Sequence, residues 1–168
     1  MHGAHRRARR TAALTGAVGA ALLAAGPVMV LRGRSGRKEI RTELAAQRIA
    51  FPARGLPAHL ARLAGERVET GPHAHAYAAL IKDHVARATG GRTYAEITEE
   101  LHATGDDEEL AELRQTAFMG ETLRASLLSA YQAWHLTTLV TGLGALLTGV
   151  GATLLATVGP PGADTRRG

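Results

Sequence analysis

Two long stretches of apolar and small residues, neither containing a charged side chain, dominate the pattern of hydrophobic and polar positions. They cover residues 11–31 and 136–158. At a rise of ~1.5 Å per residue, a helix of either length crosses the ~30 Å hydrocarbon core of a bilayer, and a helix satisfies its own backbone hydrogen bonds in lipid. The pattern therefore predicts two transmembrane helices, with residues 32–135 between them outside the membrane.

The first stretch has a second interpretation, because the arginines in residues 1–10 also resemble the basic start of a secretory signal. The apolar run continues through Pro27 to Leu31, which is long for a signal, and proline is a poor residue to follow a cleavage point. We therefore interpret residues 11–31 as an uncleaved anchor behind a basic tail, with Pro27 expected to kink or loosen the end of its helix.

Small residues recur at four-residue spacing in both predicted spans. Such stripes let two helix backbones approach closely, whether within one chain or between chains. If the spans pair, we expect the contact at Gly16, Ala20 and Ala24 in the first span and at Thr141, Ala145, Gly149 and Thr153 in the second.

The intervening segment shows helical periodicity and no run of alternating apolar residues. We expect helices over about residues 38–50, 57–64, 72–89 and 94–103, and a last helix that starts near Asp107.

Local signals set these boundaries. Two glycines within residues 33–36 predict a break after the first span. Pro72 fits the first turn of a helix that begins after Thr70. Thr93 and Glu96 match a capping box, in which each side chain satisfies an unpaired backbone N–H group.

Nothing between residue 107 and the second span breaks a helix, since Gly120 alone is tolerated inside a long one. The last helix is therefore expected to be continuous with that span. The predicted fold class is all-α: an integral membrane helical hairpin of two transmembrane helices with an inserted small bundle of about four helices. A flexible tail is expected at residues 159–168.

The distribution of charge bears on partners and orientation. The net charge of +5 comes with basic residues crowded at the ends of the apolar stretches, which indicates anionic lipid headgroups rather than nucleic acid. Because the loop exceeds ~60 residues, its charges count for little, and the basic N-terminal tail favours both termini in the cytoplasm with residues 32–135 extracytoplasmic. We expect a multi-pass protein of the cell membrane.

The loop itself is divided by charge. Residues 32–92 hold 12 basic and 5 acidic residues, and residues 93–135 hold 2 basic and 9 acidic residues. The two halves are therefore expected to pair as their helices fold back on each other; the alternative is two solvated faces, since exposed ion pairs contribute only ~0–1 kcal/mol each.

Three histidines are the candidate metal ligands: His73, His75 and His84. Two histidines and a carboxylate can form a facial iron site, and three histidines can bind zinc. On a helix over residues 72–89, however, His73 and His75 point to different sides, so we expect no metal or other cofactor. His84 is predicted to pack inward and to be hydrogen bonded, on one face with Tyr77, Leu80, Ile81 and Ala88.

Other residues are candidates for structure or interaction rather than chemistry. Glu121 and Arg124 lie three apart in apolar surroundings and are expected to form a partly buried pair. Tyr131 and Trp134 are expected at the boundary between water and lipid, where amphipathic rings settle. No phosphate-binding loop, nucleophile elbow or dinucleotide fingerprint occurs, so no catalytic residue is predicted.

Several short segments, spread over most of residues 38–135, resemble a functionally uncharacterised family of small two-span membrane proteins from actinobacteria. The segments are Arg41–Gln47 with Phe51 and Pro52, Thr70 and Gly71 with Ala76–Ala78 and His84, Gly90–Tyr94, and Phe118–Arg124 with Tyr131 and Trp134. Some members of that family carry the label of aromatic ring-opening dioxygenase, but the ligands for that chemistry cannot be placed here. The resemblance implies the two-span architecture and supplies no catalytic residue.

These observations favour a structural or protein-interaction component of the bacterial cell envelope, a scaffold or accessory protein that binds itself or another membrane protein. The alternative is a membrane-tethered metal-dependent enzyme that uses the loop histidines. A transporter or channel is disfavoured because neither span contains an ionisable residue.

Overall fold

The computed structural model describes residues 2–158, and their regular secondary structure is helical. In order along the chain, the elements are α1 (His2–Ala46), a short 3₁₀ helix (Ala58–Leu63), α2 (Gly71–Ala88), α3 (Tyr94–Thr104) and α4 (Glu108–Val158). Within the described range no strand forms beyond an isolated antiparallel bridge between Ala50 and Arg67. The predicted all-α class is confirmed, and the predicted tail at residues 159–168 lies outside the described residues.

The chain divides into two compact units. Unit 1 combines the part of α1 up to Gly36 with the part of α4 from Leu136, and unit 2 comprises Arg37–His135. Both α1 and α4 are long and apolar enough to cross a membrane, and only 11% of the residues in the most apolar window of each are buried.

The predicted break after the first span is wrong. Helix α1 already includes residues 2–10, runs through Pro27 and through residues 33–36, and ends at Ala46 rather than near residue 50. Glycine costs about 1 kcal/mol in a helix interior, but here Gly33 is buried against α4, so packing offsets that cost. A Cβ atom at Gly33 would lie 2.9 Å from the carbonyl oxygen of Thr137.

Helix α4 runs for 51 residues without interruption, as predicted from the absence of a breaker. It begins at a capped end, because Asp107 Oδ1 accepts a hydrogen bond of 3.0 Å from the backbone N–H of Leu110. The carboxylate therefore sits where the helix dipole is positive.

In unit 1, α1 and α4 pack through glycines at seven-residue spacing. Gly19, Gly26 and Gly33 of α1 are buried, and Gly26 and Gly19 face Gly144 and Gly151 of α4 respectively. We call this contact the glycine seam. Each glycine brings one backbone against the other, which is the geometry that small residues permit between helices.

Most residues of the predicted small-residue stripes lie outside this contact. The exceptions are Gly16, where a Cβ atom would lie 3.8 Å from Val158, and Thr141, which packs against Gly33. Ala20, Ala24, Ala145, Gly149 and Thr153 are exposed, and a Cβ atom at Gly149 would meet nothing within 4 Å. A four-residue spacing drifts ~40° around the helix at each step, whereas a seven-residue spacing drifts only ~20° per two turns and stays on one face.

The main core of unit 2 draws on α1, the following loop, the 3₁₀ helix, α2 and α4. Its buried members are Leu44, Phe51, Leu60, Val68, Ala74, Ala78, Leu80, Ile81 and Leu127. A smaller cluster joins α3 to the start of α4 through Ile97, Leu110 and Ala117.

Helices α2 and α4 lie antiparallel and close together. At one end a Cβ atom on Gly71 would come within 2.5 Å of the Trp134 side chain, and at the other end Gly120 faces Val85. Along α2 the residues between these contacts include the small, buried Ala74 and Ala78. Small side chains on this face of α2 are what allow α4 to approach.

The loop from α1 to the 3₁₀ helix and on to α2 is closed by backbone pairing. The Phe51 N–H group donates to the Glu66 carbonyl oxygen and the Val68 N–H group donates to the Ile49 carbonyl oxygen, both at 2.9 Å. Phe51 and Val68 are buried, so the pairing satisfies polar backbone where water is excluded.

The helix starts predicted from local signals are confirmed. Thr70 caps α2 by accepting from the backbone N–H of His73, with Pro72 in the first turn. Thr93 and Glu96 form the capping box of α3. Its Glu96 carboxylate accepts from the Thr93 backbone N–H at 2.7 Å and from the Thr93 hydroxyl at 2.8 Å.

Candidate interaction surface

The three candidate metal ligands have separate surroundings, beginning with His73. Its Nδ1 atom lies 2.9 Å from the carbonyl oxygen of Arg67 and its Nε2 atom lies 3.6 Å from Glu66 Oε2. Its ring also meets Phe51 edge to face, with 6.4 Å between ring centroids. His73 therefore holds the start of α2 against the closed loop.

His75 belongs to a column of three rings. The His75 ring stacks on Tyr131 with 4.5 Å between ring centroids. Tyr131 also contacts His135, with 4.4 Å between centroids and the two ring planes nearly perpendicular. Tyr131, expected at a water–lipid boundary, is half-buried in this column.

His84 is exposed, so its predicted packed position is wrong, and Ala88 on the same predicted face is exposed too. Leu80 and Ile81 of the predicted face are buried and Tyr77 is half-buried, as expected. The inward face continues through Gly71, Ala74 and Ala78 rather than through His84 and Ala88. Val85 also lies on the inward face, because it contacts Gly120 of α4. His84 precedes Val85 by one residue, so its side chain points ~100° away around the helix.

Among the described residues, no group of three or more histidine, aspartate or glutamate side chains is arranged to hold a metal ion. The structure thus does not bring His73, His75 and His84 together in one site.

Trp134 is fixed at the start of α2 by two contacts. The guanidinium carbon of Arg37 lies 5.0 Å from the centre of the indole ring, a cation–π arrangement. Gly71 packs against the Cβ and Cγ atoms of the same side chain. Arg37, at the start of unit 2, is thereby held to the C-terminal part of this unit.

Glu121 and Arg124 form the expected ion pair, with 2.9 Å between Arg124 Nη1 and Glu121 Oε2. The pair is more exposed than expected, because 48% of the Glu121 side chain and 31% of the Arg124 side chain remain accessible. An exposed pair of this kind contributes ~0–1 kcal/mol, so we assign it a local role on α4.

The complementary charge of the two halves of the loop produces a contact at Arg92 and Glu100, whose Nη1 and Oε2 atoms are 2.8 Å apart. Arg92 follows α2 and Glu100 lies on α3. The pair links the end of the basic half to the acidic half, and both partners are substantially exposed.

A groove of about 500 Å³ lies in unit 2 between α1 and α4. Its walls are the stretch from Glu39 to Leu44 on α1 and the stretch from Leu123 to Ala130 on α4, with Gln47 and Ile49 beyond the end of α1. We call it the α1–α4 groove. Its volume is in the range typical of ligand sites.

The groove has an apolar floor and an acidic lip. Ile40, Leu44 and Leu127 form much of the floor, and Glu39 and Glu43 stand one turn apart at the lip. Both glutamates are exposed.

Beside the groove, α4 carries exposed apolar side chains. Phe118 is 49% exposed, Met119 is 59% exposed and Leu123 is 41% exposed. We call these three residues the α4 apolar patch. Phe118 is also in contact with Tyr94 of α3, at 5.7 Å between ring centroids.

Sequence reasoning missed both the groove and the patch. The groove depends on the approach of α1 to α4, which no local signal contains. The patch could be predicted only once the inward face of α4 is known. That face contains Ala117, Gly120 and Leu127, and Phe118 and Leu123 lie outside it.

Comparison of the chain with known protein families, with curated proteins and with solved structures found no match.

Proposed function

We propose that this chain is an integral membrane protein of the bacterial cell envelope, anchored by two spans, whose unit 2 is a structural or protein-interaction component rather than an enzyme. The observation that carries the proposal is the set of large hydrophobic side chains that the fold leaves exposed. Among the described residues these fall into two groups, one in each unit.

The first group lies on the two long helices and supports the membrane location. Its members are Leu14, Val18, Val28 and Leu31 on α1 and Leu136, Leu139, Leu143, Leu146 and Val150 on α4. Soluble proteins rarely leave so much contiguous apolar surface in water, whereas lipid covers it at no cost. A two-span hairpin over residues 11–31 and 136–158, with an inserted helical bundle, accounts for this group.

The second group is the α4 apolar patch of unit 2 together with Tyr94 of α3, which contacts Phe118, and it supports an interaction role. Lipid does not account for it, because the proposed span begins only at Leu136, 17 residues after Met119 along the chain. Exposed aromatic and methionine side chains are typical of protein–protein contacts. We infer that the patch binds a membrane protein partner or a second copy of this chain.

In the proposed topology both termini are cytoplasmic and unit 2 is extracytoplasmic, with basic residues near the span ends against anionic lipid headgroups. Fusions of alkaline phosphatase and of a cytoplasmic fluorescent reporter at Gly105 test this directly. Phosphatase activity is expected, and a fluorescent reporter active at Gly105 would reverse the orientation. The likeness of residues 38–135 to the actinobacterial two-span family supports the same architecture and is itself a proposal.

Site-specific photo-crosslinking in native membranes tests the interaction role. A photoreactive residue at Met119 is expected to give a discrete protein adduct. The same residue at Ala79, an exposed position of α2, provides the matched control. A chain that resists alkaline extraction but gives no adduct at Phe118, Met119 or Leu123 would leave the anchor intact and contradict the interaction role.

A further inference from the structure

We propose that the α1–α4 groove is the docking site for a basic amphipathic helix of a protein partner. This inference rests on the proposed interaction function and names the partner chemistry of that surface. Three features carry it: the shape of the groove, the charge at its lip, and the patch that continues it along α4.

The shape fits one further helix. The wall that starts at Glu39 on α1 and reaches Gln47 just past its end, and the α4 wall from Leu123 to Ala130, are each ~10–12 Å long at 1.5 Å per residue, or about two helical turns. A third helix packs into such a groove through apolar side chains at i, i+3 or i+4, and i+7. The floor made by Ile40, Leu44 and Leu127 would bury that ridge.

The charge at the lip selects a basic partner. Glu39 and Glu43 follow each other at i and i+4, and no basic residue lies three or four positions from either of them on α1. Neither carboxylate takes part in an ion pair among the described residues. Lysine or arginine side chains that flank an apolar ridge would pair with both.

The same charge disfavours a second copy of the chain as the occupant. Two copies of the chain joined about a two-fold axis at this groove would bring Glu39 and Glu43 towards the same glutamates of the second copy, and like charges across an interface are repulsive.

The α4 apolar patch extends the binding surface beyond the groove. Leu123 belongs to both the patch and the groove wall, and Met119 lies one turn before it on the same side of α4. A helix longer than the groove would therefore cover Met119 as it leaves the floor.

A charge-swap experiment with the full chain in nanodiscs of zwitterionic lipid tests the proposal. The probes are two helical peptides of about 18 residues. Both have a ridge of leucines, which is flanked by lysines in one peptide and by glutamates in the other. The lysine peptide is expected to bind the native chain about tenfold more tightly than the glutamate peptide, since each exposed charge pair contributes ~0.2–1 kcal/mol and ~1.4 kcal/mol is tenfold. The double substitution Glu39→Lys and Glu43→Lys is expected to reverse that preference.

The matched control is the double substitution Glu99→Lys and Glu112→Lys, which changes the net charge by the same amount at exposed positions outside the groove. It is expected to keep the preference for the lysine peptide. Equal binding of both peptides to the native chain, the same loss in the control, or a dimer of the chain that the lysine peptide does not displace would each overturn the docking assignment.

Crosslinking separates this inference from the proposed function. If the Met119 adduct in native membranes persists in the variant with Glu39→Lys and Glu43→Lys, the interaction role stands and the groove assignment falls. If the native chain gives no adduct while the peptides show the charge swap, the groove chemistry stands and the interaction role falls.

Discussion

Gly26 of α1 and Gly144 of α4 meet backbone to backbone, and each excludes a side chain on the other. A Cβ atom on Gly26 would lie 2.6 Å from the carbonyl oxygen of Gly144, and a Cβ atom on Gly144 would lie 2.7 Å from the carbonyl oxygen of Gly26. Real Cβ atoms do not approach a carbonyl oxygen so closely, so any larger residue at either position must push the helices apart. This reciprocal contact lies within the glycine seam of unit 1.

Gly144→Val is therefore expected to lower the stability of the chain by about 1–3 kcal/mol, the usual cost of overpacking. Gly142→Val provides the control on the same helix, because a Cβ atom at Gly142 would meet nothing within 4 Å. Thermal unfolding of both full-length variants in the same detergent, followed by circular dichroism, gives the comparison. Equal unfolding temperatures would contradict the seam.

A third valine variant distinguishes the observed contact from the stripe expected from four-residue spacing. Gly149 belongs to that stripe, but a Cβ atom there would also meet nothing within 4 Å. Gly149→Val is expected to behave like Gly142→Val in the intact monomer. A loss of stability equal to that of Gly144→Val would restore the four-residue stripe as a packing surface.

The features that could be predicted from sequence are those decided by near neighbours along the chain. Thr70 and Thr93 cap their helices because a hydroxyl needs only a backbone N–H group three residues away. The long run of α4 was predictable because helix continuity requires only that no strong breaker intervene. The all-α class followed from the same local periodicity.

The features that could not be predicted depend on which helix faces meet. From its neighbours in sequence, Gly33 is expected to break the helix. In the structure it stays helical, and because it has no side chain it can pack directly against Thr137 and Thr141 of α4. His84 shares the spacing of several apolar residues of α2, but the small residues Gly71 and Ala74 set the inward face because α4 must approach them. The α1–α4 groove likewise exists only once two distant segments have packed.

Thr89 provides a test of the packing at the end of α2. Its side chain is 1% exposed, and its hydroxyl oxygen has no hydrogen-bond partner among the described residues. Valine has the same shape without the hydroxyl, so Thr89→Val is expected to raise the free energy of unfolding by about 1 kcal/mol. Thr98→Val is the control. The Thr98 hydroxyl donates to the Tyr94 carbonyl oxygen at 2.7 Å, so its removal is not expected to raise the free energy of unfolding. A lower unfolding temperature for Thr89→Val than for the native chain would show that the hydroxyl is satisfied.

The capping box of α3 predicts a pH dependence. Hydrogen bonds from the Thr93 backbone N–H and then from its hydroxyl lower the pKa of Glu96 below its ordinary value. Because the pKa is lower in the folded state, the stabilising contribution is complete above the ordinary pKa of about 4.3 and is lost as pH falls through the folded value.

Glu96→Gln is expected to remove this part of the acid sensitivity, since the amide does not titrate. The measurement is the unfolding temperature of the full chain between pH 3 and pH 7, a range of about one pH unit below and three above the ordinary pKa. Glu99→Gln, on the exposed side of the same helix, is expected to follow the native profile. Identical profiles for Glu96→Gln and the native chain would rule out the charged capping box as a source of acid sensitivity.

Two histidine variants of α2 separate a structural role from metal binding. His73→Ala removes the contact of Nδ1 with the Arg67 carbonyl oxygen and the edge-to-face contact with Phe51, and is expected to lower the free energy of unfolding by about 1–2 kcal/mol. His84 is exposed, so His84→Ala is expected to change it by less than about 0.5 kcal/mol. Both values come from thermal unfolding of the full chain with and without a chelator. Because the contacts of His73 are internal, the chelator is expected to leave all three proteins unchanged; a chelator-dependent fall in the native chain that His84→Ala abolishes would instead support a metal-dependent role for the histidines.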